Sequence, residues 1–245
     1  CGEAGAGRMA EPEEIVRALG VLLAPGDLDG VRVLVSAGRT EEEIDPVRYL
    51  SNRSSGRMGF ALAREAAGRG ARVTLVHGPV DVPAPAVNRV TAVRSAAEMK
   101  RALGRAFPRC DVLLMAAAVA DFTPARRAGN KIKRENGQLA VDLVPVPDIL
   151  ASLAERKKPG QLVVGFALET EDAERNARRK LADKKCDLLV LNRVGEKTGF
   201  GVDTNAVAVF GGQRKLFETP VVSKDEAAAR IIDAVVGARA RKGRS

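Results

Sequence analysis

The sequence predicts an α/β chain: a Rossmann-like, mostly parallel sheet with helices on both faces, plus a small hairpin and a long flexible basic flap. Three observations carry this reading. Apolar runs of strand length alternate with segments of helical period from residue 31 to residue 238, the pattern of βα units. The run that follows Asp111 stays apolar to Ala120, as a strand covered on both faces requires. With 245 residues and 45% hydrophobic composition, the chain is long enough to bury such a sheet.

The elements follow in order. Residues 1–9 (CGEAGAGRM) are glycine-rich and aperiodic. Glu11-Pro12-Glu13-Glu14 then opens a short helix through Leu22, with proline and acids in the first turn, and Ala24-Pro25-Gly26 ends it. Residues 1–30 are thus set apart from a second unit, 31–245. In that unit residues 31–37 read as a buried strand, 58–67 as an amphipathic helix closed by Gly68-Arg69-Gly70, and 71–76 as the next strand. RVTAVR at 89–94 alternates as a third strand, 95–107 is a helix capped by Ser95, and 111–120 is a fourth strand. The polar stretch 121–137 has no period, exceeds an ordinary connection and carries Arg126, Arg127, Lys131, Lys133 and Arg134. Loops of that kind are commonly flaps over a site. Strand 139–144, helix 148–155, strand 162–167, helix 171–184 and strand 187–191 come next. A hairpin of 206–210 and 215–218 across Gly211-Gly212 and a helix over 224–238 complete the unit, and the tail ARARKGRS reads as a frayed basic end.

Composition narrows the function. No apolar run approaches the ~18 residues of a membrane span, so the expectation is a soluble chain. Cys1, Cys110 and Cys186 are far apart and odd in number, which implies neither a disulfide framework nor a zinc site and fits a reducing cytoplasm. The single histidine, His77, excludes a multi-histidine metal site and leaves a Ser/His/Asp triad barely possible. Forty basic against thirty-one acidic residues give a net charge of +9, which favours a polyanionic partner; nucleic acid and a nucleoside triphosphate both qualify. At 3% aromatic content, with no tryptophan, the stacking platforms of a single-strand binder are mostly missing.

Four features carry candidate chemistry. The loop 36–59 (SAGRTEEEIDPVRYLSNRSSGRMG) is long for a βα turn and lies where open α/β sheets bind ligands. Within it Ser54, Ser55 and Gly56 precede the helix, either as an anion site at its N-terminus or as a cap with no ligand. Neither GxxxxGK[ST] nor a tight GxGxxG is present. The alanines after Met115 either let a flat base or sugar approach the backbone, with Asp121 for a polar contact, or accommodate a packed helix. Lys131 and Lys133 share a face if their segment is extended and either clamp a phosphate chain or are solvated. Lys180 and Lys184 stand four apart on one helical face, within reach of the same anion or simply in solvent.

Together these segments resemble the phosphopantothenate cysteine ligase family, also called phosphopantothenoylcysteine synthetase. The resemblance runs from about residue 31 to residue 232. It is carried by DPVRYLSNRSSGRMG at 45–59, then AAAVADF, KIKR at 131–134, PDIL at 147–150, VGFALET at 164–170 and GFGVDTN at 199–205. The opening CGEAGAGRMAEP looks like the substrate-clamp end of a flavin-dependent decarboxylase, fused ahead of this ligase in bacterial bifunctional proteins. The resemblance implies coenzyme A biosynthesis in two steps. The carboxylate of 4′-phosphopantothenate attacks the α-phosphorus of CTP and releases pyrophosphate; the amine of L-cysteine then attacks the acyl-cytidylate and expels CMP. It also implies roles. Lys131 stabilises charge on the triphosphate, and Asn52 holds the acyl-cytidylate during attack by cysteine. Met115, Ala116, Ala117, Asp121, Pro147, Asp148, Ile149, Leu150, Phe166, Lys180 and Lys184 map onto nucleotide contacts. Ser54, Ser55 and Gly56 form the phosphate or substrate loop. Magnesium comes with CTP rather than in a protein cage; no FMN and no decarboxylase activity are expected of this stretch. A cytoplasmic homodimer is implied, with no nucleic acid or membrane as partner. Arg134 stands where a lysine is usual, Arg39 where a proline is common, and Arg53 at a variable position.

Two other classes compete. A Rossmann-type NAD(P) oxidoreductase suits the βαβ opening but lacks the tight glycine fingerprint, and Tyr49 is followed by Arg53 where a Tyr-x3-Lys dyad needs lysine. A basic nucleic-acid binding domain suits the charge and predicts steeply salt-dependent association.

Overall fold

Helices and strands alternate along the chain as expected, and among the described residues eight of the strands assemble into one sheet while six form three two-stranded pairs. The computed structural model describes Met9 and residues 26–134, 139–169, 172–193, 202–212 and 214–243. β1 (Arg32–Ala37) leads through a hairpin, β2 (Glu41–Glu43) and β3 (Tyr49–Ser51), to α1 (Arg57–Gly68) and β4 (Arg72–His77). β5 (Arg89–Ala92), α2 (Ala96–Ala106) and β6 (Val112–Met115) follow. The next strands are β7 (Phe122–Pro124) and β8 (Leu143–Pro145), which pair with each other. Then come α3 (Ile149–Ala154), β9 (Leu162–Glu169), α4 (Ala173–Asp183) and β10 (Leu188–Arg193). β11 (Thr204–Asn205), β12 (Val207–Gly211), β13 (Arg214–Glu218), β14 (Val222–Ser223) and α5 (Lys224–Lys242) close the chain.

The sheet order is β13-β12-β10-β9-β6-β1-β4-β5. Its six central and right-hand strands are parallel, and the β12–β13 hairpin adds an antiparallel edge. From β1 the chain builds outward to β4 and β5, then returns to place β6 on the other side. That reversal makes a crevice at the carboxyl ends of β1 and β6.

Period-two alternation explains the burial. Val33 and Val35 enter one core, with Phe60 and Leu62 of α1 and Ile231, Ile232 and Val235 of α5. Leu34, between them, enters the other, with Met99 and Leu103 of α2 and Ile149 and Leu153 of α3. A third cluster seats Ala177 and Leu181 of α4 against Leu189, Leu191 and Phe210. Ser95 caps α2 as expected, accepting from Glu98 N at 3.2 Å.

The structure corrects several boundaries. The fourth strand stops at Met115 instead of reaching Ala120, because Ala117 N–H goes to the buried Ser36 hydroxyl (3.1 Å) rather than to a backbone carbonyl of β1. The long stretch after Asp121 is not aperiodic throughout, since β7 pairs with β8, and β8 covers only the end of the strand expected over 139–144. The loop 36–59 contains the β2–β3 hairpin, which its acidic run concealed. The basic tail is not frayed through Lys242: α5 continues, and Lys242 Nζ donates to Gln161 O at 2.8 Å and pairs with Asp187 at 2.7 Å. The helix expected before residue 24 lies outside the described residues, while Leu28, ahead of the expected boundary at 30, is fully buried. Among the described residues no helix is long and apolar enough to cross a membrane.

Candidate functional site

The end of β1 and the start of α1 are brought together by missing side chains. Gly38 and Gly56 have φ of 78° and 74°, and a Cβ on Gly56 would lie 2.4 Å from Val80 Cγ1. On α1, a Cβ at Gly59 would lie 2.5 Å from Ala37 Cβ, so the helix rests directly on the strand end. Gly56, the residue that precedes α1, supplies no side-chain cap, and Ser54 Oγ instead accepts from Gly56 N at 3.3 Å. The first-turn N–H groups of α1 thus keep their pull on an anion.

This N-terminus borders a cleft of about 740 Å³ over the crevice between β1 and β6. Ser54, Ser55 and Gly56 line one side of it. Met115, Ala116 and Ala117 form its floor. The backbone there is held by short side chains: Ala120 N donates to Thr40 Oγ1 at 2.9 Å, and Asn52 Nδ2 donates to Val119 O at 2.9 Å. Asn52 and Asp121 are exposed at the rim.

Pro147, Asp148, Ile149 and Leu150 make the opposite wall, with Phe166 of β9 and with Lys180 and Lys184 from the end of α4. Asp148 caps α3, accepting from Ala151 N at 2.9 Å, and pairs with Lys184 at 3.1 Å. Burial disfavours its charged form, but the Ala151 N–H and the Lys184 ammonium outweigh this and hold the carboxyl below the ordinary carboxylate range.

All the site residues expected from the sequence line this cleft except Lys131. Lys131 is exposed, and residues 131–134 form no strand that would put Lys131 and Lys133 on one face.

Sequence reasoning missed the far end of the cleft. Asn205, 2% exposed, donates to Asn192 Oδ1 at 3.2 Å, and both line the cavity. Lys224 lines it too, buried at 8%, with its ammonium on the carbonyl oxygens of Val202 and Thr204; burial pushes its pKa down against the pull of Asp203. Asp203 also pairs with Arg57 at the start of α1. A lysine as the first residue of a helix opposes the helix dipole, and that was the available signal for Lys224.

Other reactive groups stand apart. Cys110 and Cys186 are free, and burial pushes their thiols up to about 12 and about 11. His77 meets Phe60 edge-on at 5.5 Å and holds Gly78 O at 2.8 Å through Nδ1, a packing role that supplies no triad. Among the described residues no three His, Cys, Asp or Glu side chains converge to hold a metal ion.

Residues 28–238 match the family described as DNA/pantothenate metabolism flavoprotein C-terminal domain. The chain is 48% identical over 238 residues to a cysteine/cysteine sulfinic acid decarboxylase from an unknown prokaryotic organism, covering 94% of this chain and 66% of that protein. It is 41% identical over 248 residues to the coenzyme A biosynthesis bifunctional protein CoaBC of Bacillus subtilis, covering 99% and 61%. It therefore spans less than two thirds of the length of these relatives. A crystal structure of the C-terminal domain of CoaBC superposes with a TM-score of 0.73 at 35% identity, covering 86% of this chain and 96% of that one. The matched stretch takes in the sheet, its helices and the cleft, so this chain belongs to the DNA/pantothenate metabolism flavoprotein C-terminal domain family and corresponds to the C-terminal domain of CoaBC.

Proposed function

We propose that this chain is a phosphopantothenate–cysteine ligase of coenzyme A biosynthesis, using CTP and passing through an acyl-cytidylate. The observation that carries the reading is the cleft itself. An uncapped helix N-terminus with two serines faces, across an alanine floor, a wall where Asp148 and Lys184 pair. One end suits a phosphate monoester and the other a nucleotide, and the floor allows their reacting groups to meet.

A carboxylate is a poor acyl donor, so the first step attaches a nucleotidyl leaving group, and the second exchanges it for the cysteine amine. Lys131 stabilises charge on the triphosphate in the first step. Asn52 serves the second: its Nδ2 is oriented by Val119 O, which leaves its carbonyl oxygen and one N–H for the acyl-cytidylate. Lys180 and Lys184 add positive potential on the nucleotide side. Magnesium would come with the triphosphate and would offset its charge. The working unit is a cytoplasmic homodimer.

The test is pyrophosphate release with magnesium, 4′-phosphopantothenate and CTP, with and without L-cysteine, repeated with ATP. Release that requires phosphopantothenate, followed by phosphopantothenoylcysteine and CMP on adding cysteine, is expected. No release with either nucleotide from folded protein refutes the reading, and faster release with ATP refutes the choice of CTP.

A further inference from the structure

The segment that carries Lys131 is fastened to the rest of the chain through a carboxylate that the mechanism above does not use. Asp45 is 1% exposed. Its Oδ1 accepts the N–H groups of Val47 and Arg48, both at 2.8 Å, which closes the turn between β2 and β3. Its Oδ2 faces the other way, taking Arg48 Nη1 at 2.9 Å and Ile132 N–H at 3.2 Å. Arg48 Nη1 also reaches Ile132 O at 3.3 Å. One ion pair thus holds the N–H and the carbonyl of Ile132, the residue between Lys131 and Lys133. Parallel contacts lie just before it: Ala128 N donates to Ile44 O at 2.9 Å, and Arg127 pairs with Glu43 at 2.7 Å.

A turn alone needs only one side-chain acceptor, which asparagine or serine supplies as well as aspartate. The second oxygen and the guanidinium are surplus to the turn, and both are spent on Ile132.

We propose that Asp45 is a positioning residue for Lys131: through Oδ2, and with Arg48, it holds the backbone of Ile132 and so fixes where the Lys131 side chain leaves the chain. This rests on the role given to Lys131 above. Lys131 is exposed and does not line the cleft, so its long, freely rotating stem must carry the ammonium to the triphosphate when the nucleotide binds, and a fixed root narrows that search.

Asp45→Asn tests this selectively, because the amide keeps one acceptor for the turn and presents an NH2 that cannot accept from Ile132. Amide exchange at Ile132 is expected to quicken at least about tenfold while Val47 and Arg48 stay protected. The KM for the nucleotide is expected to rise on the order of 10-fold, with little further loss when the change is made in a Lys131→Gln background. Ile132→Pro removes the donated N–H from the other side without touching Asp45; it must reproduce the rise in KM, and it carries the test if Asp45→Asn fails to fold. Unchanged exchange at Ile132, or losses that multiply fully in the Lys131→Gln background, would overturn the proposal. An inactive wild-type chain would instead count against the ligase reading, and exchange at Ile132 would still decide whether Asp45 holds the segment.

Discussion

Asn52 donates its side-chain amide to the carbonyl oxygen of Val119, 2.9 Å away and 67 residues further along the chain. The bond ties the loop that enters α1 to the loop that leaves β6, so the two sides of the cleft rim keep their spacing without a ligand. It also selects which face of the amide is available for chemistry.

Asn52→Asp replaces that donor with a carboxylate facing a carbonyl oxygen. Pyrophosphate release dependent on phosphopantothenate is expected to persist, while formation of phosphopantothenoylcysteine falls by roughly 100-fold and acyl-cytidylate accumulates. Lys131→Gln is expected to act earlier and lower pyrophosphate release itself. Quenched-flow analysis of nucleotide products separates the two, and wild-type turnover in either variant removes the role given to that residue.

Lys184→Met leaves Asp148 in the cleft wall without its ammonium. The Asp148 pKa then moves back up, the nucleotide KM rises several-fold, and stability changes by no more than about 1 kcal/mol because the pair is partly exposed. Titration of the variant by NMR, with nucleotide kinetics alongside, checks both; an unmoved carboxyl would show that the capping N–H alone sets its value.

At the far end of the sheet, Asp111 accepts Arg32 N at 2.8 Å and the Arg32 guanidinium at 2.6 and 3.0 Å, joining the starts of β1 and β6. The Arg32 side chain is the main cause holding the Asp111 carboxyl below its ordinary range, with burial opposing. A carboxylate lowered in this way stabilises the fold fully above the unfolded value of about 3.9 and loses that contribution as pH falls through the lower folded value. Asp111→Ala is expected to cost about 1–2 kcal/mol at pH 7 and progressively less below about pH 4. Urea unfolding at both pH values measures it; an equal loss at both would mean the contribution is packing and not charge.

Gly56→Ala combines a φ of 74° with a Cβ set 2.4 Å from Val80 Cγ1. A loss of about 1–3 kcal/mol is expected, with the serine loop displaced. Adding Val80→Ala should recover the steric part and leave the backbone part, as thermal unfolding of the three proteins would show.

Elements whose signal is local were legible in the sequence. Ser95 capped α2, the run after Asp111 gave β6, and the Gly211-Gly212 step marked the β12–β13 hairpin. Elements defined by partners elsewhere were not. β7 is three residues long and exists by pairing with β8 about twenty residues on. The acidic β2 was hidden because Glu42 is buried at 4% to accept Ala96 N at 2.8 Å, a use no pattern announces. In the site, the serines, the alanines and the Asp148 wall were all visible as motifs, whereas Lys224 and the pairing of Asn205, the last residue of GFGVDTN, with Asn192 were not.

Period and composition by themselves determined that this chain is a parallel α/β sheet with a basic surface, because a strand buried on both faces and a helix buried on one each leave a repeat that can be counted in residues. Which side of β1 receives β6, how the loop 36–59 folds over that junction, and which cations reach the cleft were decided only by the tertiary structure. Those choices depend on contacts between residues tens of positions apart, such as Ile132 on Asp45 and Ala117 on Ser36, whose strength comes from burial and geometry that exist only once the sheet has formed.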